Sequence, residues 1–152
     1  MKPSLIWGNA LSDQAKTKRG EEADALFAAA SEKYTAAVTI KPDDHTALKN
    51  WSSAIIDQAT TKQGEEVDAL LAEARQKIAL TDHLKPGSGL YNLACLNAIS
   101  GDADEAVRLL VEAYNAGVSW PGCDHLCADS DFAKIRDSEV FLAALKRCGC
   151  TC

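Results

Sequence analysis

The sequence predicts an all-α protein, in which three helical hairpins stack on one another and a short helical cap closes the stack. Three observations support this prediction. A segment of the chain is duplicated at an offset of 44 residues, since Trp7 to Leu26 matches Trp51 to Leu70 at 13 of 20 positions. Within each copy, apolar residues recur every three to four positions, which is the spacing of one helix face. Glycine or proline separates these periodic segments from one another.

The first two hairpins are predicted at about residues 4–42 and 46–86. Gly20 and Gly64 hold equivalent places in the two copies and predict the turn inside each hairpin. Pro42 and Pro86 then end the second helices, because proline excludes the preceding residue from helical geometry. The second helix of the first hairpin carries a continuous apolar stripe: Leu26, Phe27, Ala30, Tyr34, Ala37 and Val38.

A more divergent hairpin is predicted at about residues 88–117, with its turn at Ser100-Gly101-Asp102. Residues 118–147 are predicted to form the cap, because the open end of such a stack exposes an apolar face that must be covered. Phe132, Phe141 and Leu145 are the side chains expected to cover it. The length favours a single domain over residues 1–147, followed by a cysteine-rich tail at 148–152.

The order of large and small residues in these hairpins resembles that of tetratricopeptide repeat (TPR) proteins. Trp7-Gly8-x2-Leu11 resembles the first helix of the repeat, and Ala30-x3-Tyr34-x2-Ala37 resembles the second. Leu90-x2-Leu93-Ala94 and Ala106-x3-Leu110-x2-Ala113 resemble them again, so the likeness spans about residues 4–117. The period differs, at 44 residues instead of about 34. The segment from His125 to Phe141 resembles the capping segments of some bacterial TPR arrays.

This resemblance implies a TPR-like α-solenoid whose first helices line a concave groove that binds a peptide or a partner helix. Residues one helical turn from the packing positions are expected to face the groove. They are Asn9, Lys49, Asn50, Ser53, Asp57, Tyr91, Asn92 and Cys95. Lys49, Asn50 and Asn92 are the visible candidates for contacts with a peptide carboxylate. The expected function is therefore that of a protein-interaction module or scaffold, without a cofactor or a bound metal.

Charge and hydropathy narrow the expected partners to proteins and peptides. The formal net charge is −6, and the longest basic run is Lys146-Arg147, so the sequence lacks the basic patch that binding to nucleic acid or an anionic membrane requires. No apolar stretch approaches the roughly 18 residues that span a bilayer. We therefore expect a cytoplasmic protein that binds protein partners, with self-association left open.

Motifs that carry catalysis are missing from the sequence. It contains no phosphate-binding GxxxxGK[ST], no HExxH and no GxSxG. His45 and His83 fall at turns between hairpins, where a solvated or capping role is expected. The acidic residues that begin the second helices, such as Glu21-Glu22, are explained by the helix dipole. The sequence therefore predicts that the protein is not an enzyme.

The six cysteines leave an alternative function open. Cys123, Cys127 and the tail thiols of Cys148, Cys150 and Cys152 could bind zinc or copper, form disulfides, or remain inert. Their spacings differ from the C-x2-C pairs of structural zinc sites. Cys95 is expected in the core or the groove. A thiol-based metal-binding protein is thus the alternative to the interaction module.

The two equivalent tryptophans, Trp7 and Trp51, are both predicted to pack inside the stack. Each occupies the large-residue position of its first helix. Packing is therefore favoured over ligand stacking for both.

Overall fold

A computed structural model describes residues 2–152, and this part of the chain contains eight α-helices and no strand. The prediction of an all-α protein is confirmed. The helices are α1 (Pro3–Ala15), α2 (Gly20–Ile40), α3 (His45–Ala59), α4 (Glu65–Leu84), α5 (Leu90–Ile99), α6 (Ala103–Ala116), α7 (Cys123–Ala128) and α8 (Glu139–Arg147), with a 3-10 turn at Ser130–Phe132. Among residues 2–152, no helix is both long and apolar enough to cross a bilayer.

The described chain divides into two compact units. The first ends at Leu84 and holds α1 to α4, and the second is Lys85–Cys152 and holds α5 to α8. The prediction of one domain over residues 1–147 stays a prediction.

The first unit consists of two helix pairs with the same local design. α1 packs on α2, α3 packs on α4, and α3 also contacts both α1 and α2. Gly20 and Gly64 each have a positive φ, +60° and +64°, which glycine adopts without the penalty that a Cβ atom brings. Ala30 and Ala74, at equivalent positions, are both fully buried. The predicted turns and close-packing positions are confirmed at these residues.

The two tryptophans have different environments although their sequences are equivalent. Trp51 is 8% exposed, its ring stacks on Tyr34 at 6.3 Å, and Lys77 Nζ lies 4.1 Å from the ring centroid. Trp7 is 61% exposed, so the prediction that it packs inside the stack is wrong. The physical reason is the neighbouring helix. Trp51 contacts a residue of α2, which precedes its own helix, whereas α1 is the first helix of the described chain.

In the second unit, α5, α6, α8 and the 3-10 turn share an apolar core. Phe132, Phe141 and Leu145 are buried in the same cluster as Ala106 and Leu110 of α6. The prediction that these three residues cover the last helix pair is confirmed. Side chains fix the helix starts: Asp102 accepts a hydrogen bond from the Glu105 amide at 3.1 Å, and Ser138 accepts one from the Phe141 amide at 3.2 Å.

Candidate functional site

The structure places the predicted groove residues in two groups, one in each unit. Asn9, Asn50, Ser53 and Asp57 line one pocket of about 280 Å³ in the first unit. Lys49 belongs to the same helix as the last three but is not among the lining residues. Tyr91, Asn92 and Cys95 lie on α5 in the second unit, and all three are buried.

The pocket of the first unit, here called the polar pocket, is built on the sequence duplication. Asn9 of α1 corresponds to Ser53 of α3, and Asp13 of α1 corresponds to Asp57 of α3. The two first helices therefore present matched polar positions to one space. The complete lining is Asn9, Ser12, Asp13, Lys16, Tyr34, Asn50, Ser53, Ala54 and Asp57.

The wall that α2 supplies is the buried ring of Tyr34. Its hydroxyl donates a hydrogen bond to Asn9 Oδ1 at 2.8 Å. Burial raises the pKa of Tyr34 far above its usual value, and the negative charges of Asp13 and Asp57 raise it further. The hydroxyl is therefore neutral at physiological pH, and it holds the Asn9 amide in one orientation.

The charges of the polar pocket do not cancel. Lys16 Nζ lies 3.6 Å from Asp57 Oδ2, and Asp13 adds a second carboxylate. Two carboxylates against one ammonium group give the lining a net negative charge. Because no cysteine or histidine belongs to this lining, the arrangement suits polar recognition and offers no thiolate or imidazole for nucleophilic or acid–base chemistry.

Sequence reasoning missed five of the nine lining residues: Asp13, Ser12, Lys16, Tyr34 and Ala54. A signal for the first of them was present, because shifting the predicted Asp57 by the 44-residue offset gives Asp13. Tyr34 fits the small-and-large pattern of the second helix, so its position in the repeat indicates packing rather than a pocket wall.

In the second unit, Cys95, Asp129 and Asp131 form what we call the thiol–carboxylate cluster. One ligand atom from each residue lies within 4.8 Å of the others. The Cys95 thiol is 3.8 Å from Asp129 Oδ2, and the Tyr91 hydroxyl donates a hydrogen bond to the same oxygen at 2.7 Å. The Asp131 amide donates to Asp129 Oδ1 at 3.0 Å. These contacts hold the Asp129 carboxylate on both sides.

Burial sets the protonation state of the two α5 side chains in this cluster. It raises the pKa of the Cys95 thiol well above its usual value, and the charges of Asp129 and Asp131 act in the same direction. Burial likewise raises the pKa of Tyr91, with Cys95 and Asp129 adding to the effect. A protonated, buried thiol is a poor nucleophile, so the cluster does not resemble a cysteine-enzyme site.

Four of the remaining cysteines form two disulfides, Cys123–Cys150 and Cys127–Cys152. Each connects α7 to the C-terminal tail, with Cα–Cα distances of 5.3 and 5.4 Å. Of the states that the sequence left open, the structure has disulfide pairing. A metal site made from these thiols would therefore first require their reduction.

Comparison of the chain with protein-family models, with curated proteins and with solved structures gave no match. The TPR resemblance accordingly stays a prediction from the sequence. The polar pocket and the thiol–carboxylate cluster remain as the features from which a function can be inferred.

Proposed function

We propose that this chain is a TPR-like α-solenoid that acts as a protein-interaction module and binds an extended peptide at the polar pocket. One observation carries the proposal: the duplicated first helices, α1 and α3, direct Asn9, Asn50, Ser53 and Asp57 into one pocket. Their position one helical turn from the packing residues also predicts that they face a groove. Their convergence supports recognition by the first helices.

The size of the polar pocket indicates what part of a peptide it receives. A volume of about 280 Å³ lies just below the range of typical ligand pockets, which is roughly 300 to 1,000 Å³. It can seat one side chain and the backbone beside it. Asparagine and serine both donate and accept hydrogen bonds, so Asn50 and Ser53 suit the alternating N–H and C=O groups of an extended backbone.

The charge of the polar pocket favours a basic anchor. A lysine or arginine of the peptide would meet the carboxylates of Asp13 and Asp57, both of which line the pocket. Lys16 neutralises only part of their charge, from 3.6 Å. The net charge of −6 on the whole chain favours the approach of a basic peptide at low salt. An affinity in the micromolar range, about −8 kcal/mol, is expected for a short groove-bound peptide.

A selection from a random peptide display library tests the proposal. Selection on the whole chain should enrich peptides that carry lysine or arginine at one fixed position. A selected peptide should bind the Asn50→Ala, Ser53→Ala double variant at least tenfold more weakly than the wild type. Gln63→Ala, Gln76→Ala is the matched control, because both residues are exposed and lie outside the pocket. Equal affinity for the wild type and the pocket variant would place the binding surface elsewhere.

The disulfides also bear on the compartment in which the module works. Disulfides persist in oxidising compartments and are rare in the cytosol. The pairs Cys123–Cys150 and Cys127–Cys152 thus favour an oxidising compartment over the cytoplasmic location expected from composition. Alkylating thiols under denaturing conditions at the moment of cell lysis tests this, since an oxidised chain would then present two free thiols and a fully reduced chain six.

A further inference from the structure

The thiol–carboxylate cluster brings one thiol and two carboxylates together in the second unit, and an imidazole lies beside it. α5 contributes Cys95, and the segment after α7 contributes Asp129 and Asp131. The imidazole of His125, on α7, approaches the same place, with Nε2 3.6 Å from Asp129 Oδ2. Thiolate sulfur, carboxylate oxygen and imidazole nitrogen are the three ligand types that proteins offer to zinc.

We propose that Cys95, Asp129, Asp131 and His125 bind a divalent zinc ion. This site is independent of the polar pocket, and it differs from a tail-cysteine site because none of its ligands belongs to a disulfide. The ion would take one sulfur, one nitrogen and two oxygen ligands, and the Cys95 thiol would release its proton to solvent as the zinc–sulfur bond forms.

Two separations in and beside the cluster approach those between the ligands of a tetrahedral zinc site. Bond lengths of about 2.3 Å to sulfur and about 2.0 to 2.1 Å to nitrogen and oxygen place neighbouring ligand atoms about 3.3 to 3.6 Å apart. The Cys95 Sγ to Asp129 Oδ2 distance is 3.8 Å, and the His125 Nε2 to Asp129 Oδ2 distance is 3.6 Å. The widest of the Cys95, Asp129 and Asp131 separations is within 4.8 Å. His125 lies outside this three-residue group, and its exposed side chain would move toward Cys95 and Asp131 to complete the geometry.

The electrostatics of the cluster favour a cation. Two carboxylates lie side by side, and the Asp129 side chain is only 12% exposed. The nearby guanidinium group of Arg136 donates to the main-chain carbonyls of Cys127 and Asp129, at 2.9 and 2.6 Å. Within residues 2–152, the ion pair found for the Asp129 carboxylate is with His125, and it is an ion pair only when the imidazole ring is protonated. A divalent ion would offset this concentrated negative charge.

Asp129 receives hydrogen bonds of the kind that orient metal-ligating carboxylates in metalloproteins. The Tyr91 hydroxyl donates to Oδ2 at 2.7 Å, and the Asp131 amide donates to Oδ1 at 3.0 Å. Hydrogen bonds of this kind orient a ligating carboxylate before the ion arrives. The Asp129 carboxylate is therefore pre-organised toward Cys95 rather than free to turn into solvent.

The cysteine inventory supplies an internal control for a test. Cys95 and Cys148 are the two free thiols of the described chain, and both are buried. The thiol–carboxylate cluster includes only Cys95. With both disulfides intact, any metal–thiolate signal must come from one of these two residues.

Cobalt(II) serves as the spectroscopic probe, because a thiolate ligand gives it a charge-transfer absorption in the near ultraviolet. The whole chain, with its disulfides intact, is titrated with cobalt and then with zinc. We expect one equivalent of cobalt to produce the band and one equivalent of zinc to remove it. Cys148→Ser should behave like the wild type, and Cys95→Ser should lose the band.

Carboxylate and imidazole variants test the remaining ligands. Asp131→Asn and His125→Ala should each weaken zinc binding at least tenfold, whereas Asp137→Asn, an exposed acid outside the cluster, should not change it. Circular dichroism verifies that each variant is folded, and Asp131→Asn keeps the test decisive if Cys95→Ser does not fold. The absence of a band in the wild type, a band that depends on Cys148, or unchanged zinc affinity in Asp131→Asn would overturn the proposal.

Discussion

Replacement of Gly8 by alanine should destabilise the first helix pair, because the added methyl group would meet the ring of Tyr34. A Cβ atom on Gly8 would lie 2.9 Å from Tyr34 Cε1 and 3.0 Å from Cδ1. Carbon atoms normally approach to about 3.5 to 4.0 Å. The ring has little room to move, since it is 1% exposed, bonded to Asn9 at 2.8 Å and stacked on Trp51.

The expected magnitude follows from three contributions. Overpacking a tight contact costs about 1 to 3 kcal/mol. Weakening the Tyr34–Asn9 hydrogen bond costs about 0.5 to 1.5 kcal/mol more. Alanine returns about 1 kcal/mol, because it is a better helix former than glycine. We therefore expect the free energy of unfolding to fall by about 0.5 to 3.5 kcal/mol, with a middle value of about 2 kcal/mol, measured by urea unfolding with circular dichroism.

The second helix pair suggests the control. Ser52 stands at the position equivalent to Gly8 and carries a fully buried side chain, and Ile78 stands at the position equivalent to Tyr34. In a Tyr34→Ile background, Gly8→Ala should therefore cost at least about 1 kcal/mol less than in the wild type, as a double-mutant cycle would show. No loss in the wild type, or an equal loss in both backgrounds, would refute the reasoning.

Three further predictions concern packing, thiols and pH. Ala74→Leu, at a fully buried position, should lower the free energy of unfolding by about 1 to 3 kcal/mol. Ala72→Leu, at an exposed position, is the control and should leave it nearly unchanged. Similar losses in both variants would contradict the close-packing assignment. Thiol titration of the denatured, unreduced protein should find two reactive groups, Cys95 and Cys148, and a count of six would disprove the disulfides. Since burial raises the pKa of Tyr34, its folded form retains the proton, so stability should be lost as the pH rises above about 10. Tyr34→Phe should lose less stability over that range, and parallel curves would argue against this effect.

Features that depend on local sequence could be predicted well. Gly20 and Gly64 adopt the same left-handed turn conformation, because the residues around them are duplicated. Ala30, Ala74 and Ala106 are fully buried, as their spacing indicates. Helical periodicity fixes which side chains share a face, and this was enough to place four groove residues in one pocket.

Features that depend on contacts distant in sequence could not be predicted. Trp7 and Trp51 have equivalent sequence neighbours, yet only Trp51 has Tyr34 beside it. The approach of Asp129 to Cys95, 34 residues apart, leaves no periodic signal in the sequence. The pairing of four cysteines in two disulfides also has three possible patterns, which spacing alone does not separate.

Chemical-shift mapping by NMR, with a display-selected basic peptide added to the isotopically labelled chain, tests the proposed binding site most directly. We predict that the largest changes fall on the backbone amides of Asn50 and Ser53 and on the side-chain amide of Asn9, which line the polar pocket. The same changes should be much reduced in the Asn50→Ala, Ser53→Ala variant at equal peptide concentration. Two results would contradict a peptide site at the polar pocket. One is changes confined to residues of Lys85–Cys152, and the other is chemical-shift changes outside the pocket that are as large in the variant as in the wild type.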